Sequence, residues 1–125
     1  MPNRQTARQA GESLLPEERL RRRADFLRCY EQGRRCRGEL ATIYIAEREP
    51  TATHPRLGIT VTRKVGGSVV RHKIKRRIRE IYRRWSKRDR LAPYDIVVQA
   101  RPAARKVDFQ TLEAEIQRLL KPLLQ

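Results

Sequence analysis

The stretch Arg63–Tyr82, RKVGGSVVRHKIKRRIREIY, is the part of the chain around which the rest is organised. Eight of its twenty residues are Lys or Arg, and Glu80 is its one acidic residue. Apolar side chains recur at steps of three or four residues, which is the period of one face of an α-helix. With about 3.6 residues per turn they share a sector of roughly 80°. The apolar positions, which continue past the stretch, are Val70, Ile74, Ile78, Ile81 and Trp85.

The polar side of this predicted helix, over 68–87, is almost entirely cationic. Like charges at i and i+4 each destabilise an isolated helix by about 0.2–0.5 kcal/mol, so their accumulation favours a polyanionic partner over a merely solvated face. Ser68 is the predicted N-cap, and the free N–H groups of a helix start attract anions. The stripe at steps of four consists of Arg71, Lys75, Arg79 and Arg83.

The composition points to an acidic partner for a single domain. The chain has 125 residues, with 30 Lys and Arg against 14 Asp and Glu, for a net charge of +16. Such a surplus indicates nucleic acid or an anionic membrane as the partner. The sequence contains no run of eighteen apolar residues and no apolar signal region, so we expect a cytoplasmic protein with no transmembrane helix.

The chain before the first helix lacks apolar periodicity. Residues 1–17 combine Pro, Gly, Gln and charged residues, so we expect a flexible arm followed by one domain at 18–125. Cys29 and Cys36 have no matching His pair, which argues against a zinc site. We interpret them as packing residues in a reducing cytosol, with a disulfide as the alternative.

Alternating and continuous apolar runs predict strands at 40–46, 56–62 and 94–100, the last buried in the centre of a sheet. Helices are predicted at about 24–32 and at 109–121. With the basic helix, this order predicts an α+β sandwich in which helices back one mixed sheet. One face of the second strand is small and polar, which suits an RNA backbone or bases, with a solvated face as the alternative. That face consists of Arg56, Gly58, Thr60 and Thr62.

The basic stretch resembles the signature of the bacterial ribonuclease P protein subunit, approximately K-K-V-G-N-A-V-x-R-N-x-x-K-R-x-x-R. Gly67 and His72 depart from it, since the family has Asn at both places. The resemblance spans roughly 20–120 and implies a ferredoxin-like variant of order αβββαβα, with a left-handed crossover around the basic helix. Its additional short strand would fit at 34–37. The matching segments are Arg63-Lys64-Val65-Gly66, Val69-Val70-Arg71-His72 and Lys75-Arg76-Arg77-Ile78-Arg79-Glu80.

No catalytic constellation is visible in the sequence. His54 and His72 have no partner in the pattern, and the carboxylates are scattered. The residues therefore predict an RNA-binding protein without its own active site. The resemblance implies a subunit of an endoribonuclease that removes the 5′ leader of precursor tRNA. In that family the RNA subunit is the catalyst and binds most of the Mg²⁺, while the protein positions the leader and broadens substrate specificity.

The resemblance also implies two sets of RNA contacts. Phe26 and Tyr30, four residues apart, share a helix face, and the pattern alone favours the core for both. The resemblance instead places them with Tyr44 in a cleft for the single-stranded leader. To these three we add the polar face of the second strand, namely Arg56, Thr60 and Thr62. Contacts to the RNA subunit are expected from Arg63, Lys64, Arg71, His72, Lys73, Lys75, Arg76, Arg77, Arg79 and Arg83.

Two other function classes stay open at this point. One is a basic protein of another ribonucleoprotein, such as a ribosomal-type binder of structured RNA. The other is a DNA-binding or membrane-surface protein that uses the basic helix. The sequence shows neither a helix-turn-helix partner nor a dimer seam, and the apolar seam of the helix is needed to cover the sheet. We therefore expect no DNA and no membrane partner.

Overall fold

A computed structural model describes residues 14–125, and within them three helices and four strands follow the predicted order αβββαβα. The predicted fold class is confirmed. The short strand that residue alternation did not reveal lies where the resemblance placed it. The helices are α1 (Arg23–Gln32), α2 (Ser68–Arg84) and α3 (Phe109–Leu120), and the strands are β1 (Arg34–Arg37), β2 (Ala41–Glu47), β3 (Arg56–Val61) and β4 (Tyr94–Ala100).

The four strands form one mixed sheet of order β1-β2-β4-β3. β4 is antiparallel to β2 and parallel to β3, and the chain passes between the parallel pair through α2. β4 is a central strand, as its continuous apolar run predicts, because Ile96, Val97 and Val98 are all fully buried.

One face of the sheet carries the main core, which α2 and α3 cover. The predicted seam of α2 is confirmed: Ile74, Ile78 and Ile81 are buried, and Val70 and Trp85 pack at its margin. Tyr82 is also buried, beside the seam that the pattern identified. Fully burying one isoleucine side chain contributes about 1.5–3 kcal/mol, so the three isoleucines of the seam hold the basic helix firmly on the sheet.

The ends of the helices depart slightly from the prediction. Gly67, and not Ser68, is the N-cap of α2, because the Gly67 carbonyl accepts the first helical hydrogen bond, from the Arg71 N–H at 2.9 Å. The helix ends at Arg84, three residues earlier than expected. Asp108 is the N-cap of α3, and its Oδ1 accepts a hydrogen bond from the Thr111 N–H at 2.8 Å.

The packed domain begins earlier than the predicted boundary at residue 18. Leu14 is buried in the main core, and Pro16–Glu18 forms a single 3₁₀ turn. The Leu20 N–H then donates to the Leu57 carbonyl at 2.9 Å, which ties the segment to β3. Residues 14–17 are therefore part of the domain and not of an arm. The rest of the predicted arm, 1–13, lies outside the described residues.

Both cysteines are free, which agrees with their interpretation as packing residues. Cys29 is buried on the side of α1 that faces the sheet, and burial raises the pKa of its thiol to about 11. None of the helices in the described part of the chain combines the length and apolar character needed to cross a membrane.

Candidate nucleic-acid interface

The face of the sheet away from the main core carries mostly polar side chains, because strand alternation sends to it the residues that stand between the apolar core positions. Register partners on neighbouring strands lie side by side and build this face in rows. The first row is Ala46, Asp95 and Arg56; the second is Arg35, Tyr44, Val97 and Gly58; the third is Arg37, Thr42, Gln99 and Thr60.

Helix α1 covers part of this face with a small second core. Cys29 and Val97 are fully buried in it, and Phe26, Tyr30 and Tyr44 pack around them. Gly58 is required by this packing, because a Cβ atom there would lie 2.6 Å from two ring atoms of Phe26. The absence of a side chain at Gly58 therefore lets Phe26 of α1 approach β3 closely, and does not only leave a flat surface for a ligand.

The three aromatic residues are brought together as the resemblance implied, and each is half-buried. The rings of Tyr30 and Tyr44 meet edge to face, with centroids 4.8 Å apart at 87°. The Tyr30 hydroxyl hydrogen-bonds the Thr60 hydroxyl at 2.7 Å, and burial raises the pKa of Tyr30, so its phenol stays neutral. One side of the cluster belongs to the core, and Tyr44 and Phe26 each also border an open groove.

A groove of about 320 Å³ lies beside the aromatic cluster on the same face. We call it the sheet groove. Four cationic side chains line it, and no carboxylate does. Lys64, which sequence reasoning assigned to the RNA subunit, lies here beside Thr62, a predicted leader contact. The lining residues are Arg35, Arg37, Thr42, Tyr44, Thr62, Lys64, Gln99, Ala100, Arg101 and Pro102.

Several of these lining residues were missed by sequence reasoning. The available signal was alternation: Gln99 stands between two buried residues of β4, so its side chain must point to the other face. Arg35 and Arg37 alternate in the same way along β1, but that strand is too short to show a pattern. Arg101 immediately follows β4, and only the fold brings it to the groove.

Arg56, a predicted leader contact, does not line the sheet groove. Its Nε and an Nη atom donate to the two carboxylate oxygens of Asp95 at 2.7 and 2.8 Å. This hydrogen bond raises the pKa of Arg56. Asp95 is fully buried and also binds Arg28 of α1, while Arg48 Nε approaches it at 3.7 Å. Three guanidinium groups thus neutralise one buried carboxylate, and Arg56 serves the fold.

The outward face of α2 carries the remaining predicted cations. Arg83 pairs with Glu80, so the stripe at steps of four has one neutralised member. The Arg71 Nε donates to the Gly66 carbonyl at 3.1 Å, which fixes its side chain at the helix start. A pocket of about 140 Å³, the helix-start pocket, opens there between Val61 and α2. Ser68, Arg71, His72 and Lys75 line it. The exposed members of the set are Arg63, Lys64, His72, Lys73, Lys75, Arg76 and Arg79, and Arg71, Arg77 and Arg83 are half-buried.

The two histidines are not brought together. His54 lies in the loop before β3, where its Nε2 contacts the Glu17 carbonyl oxygen at 2.9 Å, whereas His72 is on α2. Among residues 14–125 no three His, Cys, Asp or Glu side chains converge on a position for a metal ion.

Comparison with known proteins agrees with this architecture. The family model described as Ribonuclease P matches residues 14–124. The ribonuclease P protein component of Acidothermus cellulolyticus is 40% identical over 115 residues, which cover 90% of this chain and 93% of that protein. That of Clostridium botulinum strain 657 is 34% identical over 107 residues, covering 86% and 95%.

Solved structures give the same result. An RNase P protein from Staphylococcus aureus superposes with a TM-score of 0.77 at 30% identity, covering 86% of this chain and 98% of that one. For the RNase P protein from Thermotoga maritima the TM-score is 0.74 at 37% identity, with coverage of 86% and 99%. The chain therefore belongs to the ribonuclease P protein family, whose members act with an RNA subunit in the 5′ processing of tRNA.

Proposed function

We propose that this chain is the non-catalytic subunit of the endoribonuclease: it binds the RNA subunit through α2 and the single-stranded leader of precursor tRNA through the sheet groove and the aromatic cluster. The observation that carries the proposal is the half-buried cluster of Phe26, Tyr30 and Tyr44, of which Tyr44 lines a groove with four cations. Rings held firmly by a core on one side provide stacking surfaces on the other.

These side chains recognise general features of RNA. Stacking of a base on an aromatic ring is worth about 1–3 kcal/mol and tolerates any base, and Arg or Lys side chains bind phosphates without reading sequence. A groove of this kind accepts leaders of many sequences. This supports the further proposal that the protein broadens the range of substrates that the enzyme processes.

The chemistry belongs, in this proposal, to the RNA subunit. The carboxylates near the RNA surfaces have structural partners: Asp95 binds Arg28 and Arg56, and Glu80 binds Arg83. The lining of the sheet groove contains neither histidine nor carboxylate. Residues 14–125 bring together no group of three His, Cys, Asp or Glu side chains for a metal ion, and this proposal assigns the Mg²⁺ to the RNA subunit, whose phosphates offer the oxygen ligands that Mg²⁺ prefers.

RNA is a better partner for this fold than DNA. A strand separates each of the three helices from the next, so the described residues contain no helix-turn-helix unit to enter a major groove. The free cysteines fit a reducing compartment, and we propose that the protein acts in the cytoplasm.

The leader site is tested by comparing precursor and mature tRNA as ligands of the reconstituted holoenzyme. Phe26→Ala should weaken binding of precursor tRNA by about 1–3 kcal/mol, roughly 5- to 150-fold, and leave mature tRNA unaffected. Phe109→Ala is the matched control, because Phe109 is also half-buried but packs at the start of α3. Equal losses for both tRNAs, with circular dichroism showing folded protein, would refute leader binding by the aromatic cluster.

The RNA-subunit surface is tested by salt dependence. Arg76 is exposed on α2, and Arg76→Ala should make the slope of log K against log salt for holoenzyme assembly shallower by about 0.7–0.9. Arg118→Ala on α3 removes the same charge from another exposed surface and should leave the slope unchanged. In the same preparation, protein without RNA subunit should leave precursor tRNA intact, and specific cleavage by protein alone would overturn the assignment of catalysis.

A further inference from the structure

A second cationic groove lies along the outer edge of β3, on the side away from β4. It has a volume of about 220 Å³, and we call it the outer groove. It forms because β3 ends the sheet, and the backbone of the preceding segment pairs with its edge at Leu57, through a bridge with Arg19. Beyond that point Gly58 and Ile59 line the groove, between Phe26 of α1 and the side chains of α2.

The charges of the outer groove come from two separate parts of the chain. Arg19 and Arg21 lie before α1, and Lys75 and Arg79 lie one turn apart on α2. All four are exposed, none pairs with a carboxylate of the described residues, and no carboxylate lines the groove. Elsewhere in the fold, arginines pair with carboxylates of the same chain, as Arg28 and Arg56 do with Asp95. Four unneutralised cations around one concave surface favour a polyanionic ligand.

The outer groove is continuous with the other RNA surfaces. Lys75 lines both the outer groove and the helix-start pocket, so the cationic surface follows β3 from Leu57 to Val61. Four residue steps of a strand span about 13 Å. At the other end, Phe26 borders the outer groove while Tyr44 borders the sheet groove, and both belong to the aromatic cluster. The rings thus form a ridge with a cationic groove on either side.

We propose that the outer groove binds the phosphodiester backbone of single-stranded RNA that crosses the aromatic ridge from the sheet groove, with Arg19 and Arg21 as phosphate-binding residues. The proposal rests on the proposed function, in that the RNA is the 5′ part of a long leader. Bases stack on the ridge, and the phosphates before and after it lie in the two grooves. Neither Arg19 nor Arg21 belongs to the basic helix or to the predicted contact set.

The test compares holoenzymes that contain wild-type protein or the double variant Arg19→Ala/Arg21→Ala, bound to precursor tRNAs with a long or a short leader. For the long leader, the double variant should bind more weakly, with a salt slope shallower by about 1.4, twice the value of about 0.7 for one phosphate contact of a single strand. Binding of the short leader, binding of mature tRNA and assembly with the RNA subunit should be unchanged. Arg19→Lys/Arg21→Lys, which keeps both charges, should restore the slope.

The control removes the same charge from the same segment. Arg22 and Arg23 are exposed neighbours that do not line the outer groove, so Arg22→Ala/Arg23→Ala should leave the long-leader slope unchanged. Equal losses of long-leader binding in both double variants would show that the RNA responds only to the general positive charge of this segment. That result would refute a phosphate site in the outer groove. A loss in assembly with the RNA subunit would assign the groove to that RNA and overturn the leader assignment.

An unchanged double variant would also overturn the inference, and Phe26→Ala separates this from failure of the proposed function. If Phe26→Ala weakens precursor binding while Arg19→Ala/Arg21→Ala does not, leader binding stands and the outer groove is a solvated surface. If neither variant weakens the binding of precursor tRNA, the proposed function itself fails. Circular dichroism and urea midpoints check the folding of each variant, which removal of the exposed Arg19 and Arg21 side chains should not affect.

Discussion

Replacing Asp95 by Asn should destabilise the protein more than any other removal of one carboxylate charge near α1. Asp95 is fully buried, and Arg56 uses both of its oxygens, at 2.7 and 2.8 Å. An amide offers one acceptor oxygen, and its NH₂ group would face guanidinium donors. Breaking a buried ion pair costs about 3–5 kcal/mol. Since the Arg28 and Arg56 side chains are 30% and 23% exposed, water compensates part of the loss, and we expect about 3 kcal/mol.

The assay is equilibrium urea unfolding of the wild-type protein and two matched variants. With a slope of about 1–3 kcal/mol per M, the loss should lower the Asp95→Asn midpoint by about 1–3 M. Asp25→Asn is the control: it makes the same chemical change next to the same arginines. Asp25 is 21% exposed and its contacts are long, 3.9 Å to Arg28 and 3.6 Å to Arg56, so it should cost under about 1 kcal/mol.

The same variant connects stability to function. Arg28 of α1 and Arg56 of β3 meet at Asp95, so this cluster helps to position α1, and with it Phe26, over the sheet. Where both variants are folded, Asp95→Asn should weaken precursor tRNA binding more than Asp25→Asn does. Equal midpoints for the two variants would refute the reasoning, since they would show that the fully buried Asp95 is no more strongly coupled to its arginines than the partly exposed Asp25.

Three further predictions concern single side chains. His72→Ala should weaken holoenzyme assembly, because His72 is exposed on α2 and lines the helix-start pocket; unchanged assembly would remove His72 from the contact. Asp108→Ala should lower the urea midpoint at neutral pH by removing the α3 N-cap. Its hydrogen bond with Thr111 lowers the pKa of Asp108, so the higher urea midpoint of the wild-type protein should fall to that of the variant as the pH drops below about 4. A difference in midpoint that persists in acid would contradict the ionised N-cap as its cause. Burial raises the pKa of Cys29 to about 11, so a thiol reagent at about pH 8 should modify native Cys36 first, and prior reaction of Cys29 would contradict its burial.

Local pattern was sufficient for most of the fold. The spacing of Ile74, Ile78 and Ile81 identified the buried face of α2, and the apolar run of β4 identified the central strand. Both signals depend on periods of 3.6 and 2 residues, which the backbone geometry of helices and strands imposes whatever the rest of the chain does. Helix ends were predicted less accurately, because Gly67 caps α2 with backbone alone and leaves no side-chain signature.

The grooves and the role of each charge were decided by tertiary structure. Arg56 and Arg35 look alike in the sequence, but sheet register places Arg56 beside buried Asp95 and Arg35 beside Tyr44 at an open groove. The outer groove likewise joins Arg19 and Lys75, which are far apart in the chain. Sequence by itself determined that the protein is cationic, which elements it forms and which family it resembles. Which cations remain free for RNA depends on long-range pairing, and local periodicity carries no information about that pairing.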